Sequence, residues 1–276
     1  MAYPTLDGPY GYVPVNLIGG QVFAGSTRMY RINYAYNTSI FFGDPVRLTN
    51  GSITLPTLPV DSTNTIVGFF LGCSYTDPVT KQKRFSQYWP ASTLAGDCVA
   101  YVADDPDVVL KAAVTAGVNS LSIASANSIN VGSNLLGNSG ALIVGSTATG
   151  NSKNGVIAAT AAGATTAGFR VLGLVPDTQV TYGATYVSGT GSTSLVVSGL
   201  PVGAVIPIGA EVFNVIGEGV QYTGSFLTAA STVTTSGNTT LTVTAATTAV
   251  AGTVAIVVTP EVLVKVNFGV HRYNIA

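Results

Sequence analysis

Charge is scarce in this chain: Asp, Glu, Lys and Arg together make up 8% of its 276 residues, where a soluble domain usually carries about a quarter. Eleven basic side chains face twelve acidic ones, for a net charge of −1. No basic field is available to neutralise phosphates, so nucleic acid is not an expected partner. The densest basic stretch, Lys81, Lys83 and Arg84 beside Asp77, reads as a solvated turn. Long apolar runs are missing too. Mean hydropathy is +0.45, but Gly, Ser, Thr and Asn interrupt every run before the ~18 residues that a spanning helix needs. Met1-Ala2-Tyr3-Pro4-Thr5 has neither the basic cluster nor the apolar stretch of a secretory signal. Neither a membrane span nor secretion is expected.

Catalytic chemistry is equally sparse. The chain holds one histidine, His271, which reads as a surface or interface residue rather than a catalytic base. Cys73 and Cys98 lack the CxxC spacing of a zinc or redox site. Cys73 lies in the apolar stretch Phe69-Phe70-Leu71-Gly72-Cys73, which makes a buried free thiol the default and a Cys73–Cys98 disulfide the alternative. Motifs of zinc peptidases, serine hydrolases and nucleotide-binding loops do not occur. Asp104-Asp105-Pro106-Asp107 is the one carboxylate cluster, readable as part of a Ca²⁺ shell or as a turn. Glu211 and Glu218 have the look of a glycosidase pair, but nothing around them supports a sugar cleft, and they read as loop residues. The expectation is a protein that is not an enzyme and has no cofactor.

What the chain does contain is short, turn-bounded apolar segments. Ser26 to Tyr36 alternates, with Met29, Arg31, Asn33 and Ala35 opposite Tyr30, Ile32, Tyr34 and Tyr36, as a half-buried strand requires. Asn50-Gly51 is a hairpin signal. Ile66 to Cys73 is the most apolar strand and is expected to be central. Phe85–Trp89 and Asp97–Ala103 read as further strands, and no segment reads as a helix. Between Ala112 and Gly168, regular apolar beats among Ala, Ser, Asn and Gly favour ordered loops and short strands over a linker. Strands at roughly ten-residue spacing predict an all-β chain with a small barrel or sandwich core.

Two separated segments organise that core. Gly168–Val175 and Glu261–Asn267 both read as strands, the second with Val262, Val264 and Val266 on one face. They are expected to pair as a hairpin whose turn, near Tyr182-Gly183, has accepted a second β-sandwich-like domain. The predicted layout is an extended arm over residues 1–28, a core over 29–183 plus 260–276, and an insert over 184–259. Within the insert, Gly191–Val197 echoes Gly237–Val243, which suggests two related hairpins. The arm is rich in Pro, Gly and Tyr and is expected to lie on a neighbouring subunit. Its candidate partner-contact residues are Tyr3, Tyr10, Tyr12, Phe23 and Arg28.

Three stretches carry a family resemblance. Tyr12-Val13-Pro14-Val15-Asn16-Leu17-Ile18-Gly19-Gly20-Gln21-Val22-Phe23-Ala24-Gly25-Ser26-Thr27-Arg28, Phe42-Gly43-Asp44-Pro45-Val46 and Gly96–Pro106 resemble virion structural proteins of tailed bacteriophages, cyanophages among them. Arg170–Val175 and Val262–Asn267 look like that family's closing segments. A short turn often separates them there, so the long insert is a departure. The resemblance covers residues 1–183 and 260–276. It implies a head decoration (cement) protein, commonly a homotrimer, made in the host cytoplasm and bound to the major capsid protein on the capsid surface. A tail or fibre adhesin is the alternative, and the Thr/Ser-rich insert is then the candidate contact for a host-surface glycan.

Overall fold

The structure is a computed structural model. It describes residues 6–56, 60–117, 119–138, 143–160, 167–189, 192–216, 219–244, 252–267 and 269–271. The strands are β1 (Tyr12–Leu17), β2 (Arg28–Ile32), β3 (Pro45–Thr49), β4 (Ser52–Thr54), β5 (Gly68–Thr76), β6 (Lys83–Ser86), β7 (Val99–Ala103) and β8 (Val108–Thr115). There follow β9 (Asn134–Gly137), β10 (Val156–Thr160), β11 (Phe169–Leu174), β12 (Val180–Ser188), β13 (Ser194–Ser198) and β14 (Val205–Ile206). The last are β15 (Glu211–Ile216), β16 (Gly219–Phe226), β17 (Ser231–Thr232), β18 (Asn238–Thr242), β19 (Thr253–Val258) and β20 (Glu261–Val266). The helical content among the described residues is two 3₁₀ turns, Ala126–Ser128 and Pro176–Thr178. The fold class is all-β, as the strand spacing predicts.

Two compact units emerge. The larger comprises Gly8–Ser122, Val131–Gly173 and the residues from Leu263 on; the smaller comprises Ile123–Asn130, Leu174–Val262 and the described residues before Gly8. In the larger unit, β3, β4, β2, β7 and β5 are successive hydrogen-bonded neighbours, and β5 returns to β3. This closed five-strand cycle, ring B, carries β6 on the outside of β5. A second cycle, ring A, runs β8-β10-β9-β11-β20 and back to β8, with β1 attached to β8. Each antiparallel step round a ring reverses the strand direction, so a ring of five needs an odd number of parallel steps. Ring B has one, β2 beside β4, among four antiparallel pairs. In ring A, β8 beside β10 is parallel.

Local chemistry explains several of these elements. Asn50 (φ 49°) and Gly51 (φ 75°) both take the left-handed conformation that joins β3 to β4 in a tight hairpin. Strand β5 touches β3, β6 and β7 and supplies Phe70, Cys73 and Tyr75 to a core shared with Ile32, Val46, Trp89 and Val102. In β20 the buried Val262, Val264 and Val266 alternate with half-buried Leu263 and Lys265. Strands β11 and β20 are neighbours, as the hydrophobic pattern of the two separated segments anticipates.

The arm expectation needs correction. Residues 12–17 are a sheet strand, with Tyr12 opposite Ala112 and Pro14 opposite Leu110. An edge strand uses hydrogen bonds on one side alone, which is where a proline can be carried. The register slips between Pro14 and Asn16. Tyr12 is fully buried. Its ring stacks on Phe169 (4.8 Å between centroids, 11°), tilts against Phe69 (5.2 Å), and its hydroxyl donates to the Gly155 carbonyl at 2.7 Å.

The smaller unit differs from the predicted insert at both ends. Tyr182-Gly183 is no turn: β12 pairs without interruption from Val180↔Val258 to Thr185↔Thr253. Ile123–Asn130 belongs to this unit as well. Ser125 N donates to Ile208 O (2.8 Å), Ala126 N donates to Thr259 O (2.8 Å), and Ser125 Oγ accepts from Thr259 N (3.0 Å). The unit's main sheet, β16-β15-β19-β12-β13-β18, is antiparallel at every step. A Leu227↔Val243 bridge, just past β16 and β18, joins its two outer ends. The unit thus consists of one curled six-stranded sheet together with the two-stranded sheet β14–β17, in keeping with the all-β second domain expected. The two echoing segments do not form separate hairpins. Their strands, β13 and β18, pair with each other, Leu195 opposite Leu241, both buried in the core.

Candidate interaction surface

The residues singled out by sequence do not form one site. Tyr3 lies outside the described residues. Tyr10 is half-buried, with the Lys111 ammonium 5.7 Å from its ring centroid. Tyr12 belongs to the core and cannot contact a partner. Phe23 is half-buried. Arg28 is exposed and its guanidinium reaches the Asp104 carboxylate at 3.1 Å. The exposed part of the expected arm is its second half: from Ile18 to Met29, where β2 begins, every residue except Phe23 is exposed. Val22 is 79% and Met29 68% exposed.

The acidic residues prove to be structural. Asp104 Oδ2 also accepts from the Tyr30 hydroxyl at 2.8 Å. Burial, then the hydrogen bond to Asp104, pushes the Tyr30 phenol up to about 12. Asp105 Oδ1 accepts from Asp107 N at 2.8 Å, closing a turn. His271 Nε2 lies 2.9 Å from the Asp104 carbonyl oxygen. Among the described residues no group of three His, Cys, Asp or Glu side chains is placed to hold a metal ion. Glu211 is buried in β15, where its Oε2 accepts from Asn127 Nδ2 at 3.3 Å. It is therefore not a loop residue, and Glu218 lies outside the described residues.

Cys73 and Cys98 are buried free thiols. Cys73 sits opposite Ala100, so Cys98 is its diagonal neighbour, two residues along. Diagonal pairs are separated by about 7–8 Å, beyond disulfide reach. Burial, followed by the neighbouring Cys98, raises the Cys73 thiol to about 12, and burial raises Cys98 to about 11.

An open concavity lies on the outer face of ring B. Met29 pairs with Tyr101 across β2 and β7, and Tyr101 pairs with Gly72 across β7 and β5. Where this row reaches Gly72 there is no side chain. The glycine sits at a register shift with φ +140°, and a Cβ there would lie 3.1 Å from the Ser86 carbonyl oxygen. A depression of about 560 Å³ results, lined by Leu71, Gly72, Phe85, Ser86, Gln87 and Tyr101 among others. Phe85 is 76% exposed. The Tyr101 hydroxyl donates to Ser74 Oγ at 3.2 Å, which fixes the ring. The cations beside the depression are neutralised: Lys83 pairs with Asp97 at 2.9 Å and Arg84 with Asp77 at 3.0 Å. Lys83 and the Thr76 donors hold the Asp97 carboxyl well below its usual range.

Sequence reading missed this surface. The available signal was Gly72 inside an apolar strand, since a strand glycine often marks a bulge or a close approach. The exposure of Phe85 follows from the edge position of β6, which no local pattern reveals. No known protein-family model matches the chain, and neither a curated protein nor a solved structure matches it.

Proposed function

We propose that this protein is a non-enzymatic virion component of a tailed bacteriophage, a decoration protein that binds the outside of the major capsid shell and stabilises the head. The carrying observation is the exposed stretch Ile18–Met29 beside edge strand β1. From Gly8 to Thr27 the chain bears no charge, so laying it on another protein strips water from apolar and backbone groups without desolvating an ion. Scattered exposed apolar residues need no explanation; Ile18, Val22 and Met29 on the exposed connection from β1 to β2 fit a contact surface. Exposed backbone at such a stretch also suits strand-like addition to a neighbour.

The resemblance of residues 12–28, 42–46 and 96–106 to phage virion proteins supplies the setting. In a homotrimer each copy contributes modest contacts, and linked copies convert weak contacts into firm attachment. The test is copy number in purified virions, measured by quantitative mass spectrometry against the major capsid protein. Hundreds of copies, in fixed proportion to capsid subunits, are expected. A handful to a few dozen overturns the head assignment and moves the protein to the tail, as an adhesin.

A further inference from the structure

We infer that the depression on the outer face of ring B is a binding site for a neutral saccharide. This goes beyond the decoration reading and does not depend on it. It also places the glycan contact on the larger unit rather than on the Thr/Ser-rich insert.

Three features select that ligand class. Aromatic surface is the first. Phe85 presents a largely exposed ring, Tyr101 is fixed through its hydroxyl contact with Ser74, and Phe42 also lines the depression. Flat aromatic faces suit the C–H faces of a sugar ring, which offer apolar area with hydroxyls at the rim. Placed neutral polar groups are the second. Gln87 is exposed, and its Nε2 donates to Asn151 Oδ1 at 2.6 Å, so the amide is held in place. Ser86 Oγ donates to the Tyr88 carbonyl and accepts from Tyr88 N at 3.3 Å. A few fixed polar groups in an aromatic cavity of this size are how small-ligand sites set orientation.

Charge is the third. The lining holds no Asp, Glu, Lys, Arg or His, and the flanking Lys83 and Arg84 are each matched by a carboxylate. An anionic sugar finds no unmatched cation, and a cationic ligand no unmatched carboxylate, at this rim. Gly72 is the floor, and its missing side chain gives the sugar its space.

The experiment uses the full chain and ligand-observed saturation-transfer NMR followed by calorimetric titration. The probes are maltohexaose, cellohexaose and chitohexaose as neutral oligosaccharides, with sialyllactose and a heparin hexasaccharide as anionic ones. At least one neutral probe is expected to bind with Kd of about 1 mM or tighter. Phe85→Ala should weaken it about tenfold or more, and Gln87→Ala measurably, with the melting temperature unchanged because both side chains are exposed. Absence of binding by all neutral probes, preference for the anionic probes, or equal affinity in Phe85→Ala would each overturn the assignment.

Discussion

Asn154 Nδ2 donates to Asp44 Oδ1 at 2.6 Å, and both residues are buried. Asp44 immediately precedes β3 of ring B, while Asn154 lies two residues before β10 of ring A. The same carboxylate accepts from Ser152 Oγ and from Phe41 N. A single buried acid therefore gathers the polar groups where the two rings meet. Burial raises its carboxyl to about 6, against the lowering effect of those three donors. Because the folded value lies above the ordinary one, the stabilisation is fully present below about pH 4 and is lost as pH rises through about 6. The swing is about 3 kcal/mol at most. Calorimetry on wild type and Asp44→Asn from pH 4 to 7.5 should show it as a difference curve. Comparing the two chains removes the opposite trend of acids such as Asp61 and Asp77, held low by their own donors. Parallel curves would contradict the prediction.

Tyr12 gives a sharp contrast between arm and core. Tyr12→Phe removes the hydroxyl that donates to Gly155 O and should cost about 1 kcal/mol or somewhat more. Tyr12→Ala empties the space between Phe69 and Phe169 and should cost about 3–5 kcal/mol. Urea unfolding measures both. An unaltered midpoint in Tyr12→Ala would restore the arm.

The thiols should be silent in the folded protein. At pH 8 neither Cys73 nor Cys98 is expected to react with Ellman's reagent, and both should react once the chain is unfolded in guanidinium without reductant. Rapid modification of either in the native state contradicts the burial described above. Failure to detect both after unfolding would instead reveal a disulfide.

Gly68 opens β5 where it approaches β7. A Cβ there would lie 2.2 Å from the Ala103 carbonyl oxygen, a backbone atom that cannot swing away. Gly68→Ala should destabilise by about 1–3 kcal/mol through overpacking. A melting temperature equal to wild type would mean that β5 and β7 separate more easily than their register implies.

The boundaries of the smaller unit are open to surgery. Excising Ala184–Thr259 leaves Val180–Gly183 without their β19 partners and should yield an unstable protein. Excising 176–260 with an Asn-Gly turn in its place keeps β11 and β20 adjacent. That shorter chain should unfold cooperatively once Ile123–Asn130, which loses its partners Ile208 and Thr259, is also replaced by a polar linker. If the 184–259 deletion proves as stable as the 176–260 one, the boundary belongs where the sequence first suggested it.

Local signals carried a good part of the fold. Asn50-Gly51 announced its hairpin, the Val262/Val264/Val266 stripe its buried face, and Ile66–Cys73 its central strand, which the structure places at Gly68–Thr76. These features depend on neighbours along the chain. Tyr12 was misread because Pro and Gly around it describe flexible chain equally well as edge strand, and the deciding partner, β8, lies about a hundred residues away. Ile123–Asn130 gave no sign of belonging with Ile208 and Thr259, since two backbone hydrogen bonds and one to a serine hydroxyl leave no hydrophobic pattern. The depression at Gly72 depends on which strand ends a sheet. That is a property of pairing across ring B and not of any one segment.

Ring A's closure also sets a schedule for biosynthesis. Ring B is complete in sequence once Ala103 has emerged from the ribosome, and all its partners lie within residues 28–103. Ring A must wait for residues 261–266, with the whole of Leu174–Val262 made in between. Until then β8 and β11 each keep an unsatisfied edge, a condition that invites mispairing with other chains. Termination before residue 261 therefore leaves a half-closed molecule with sticky borders, while full-length chains bury those borders within themselves.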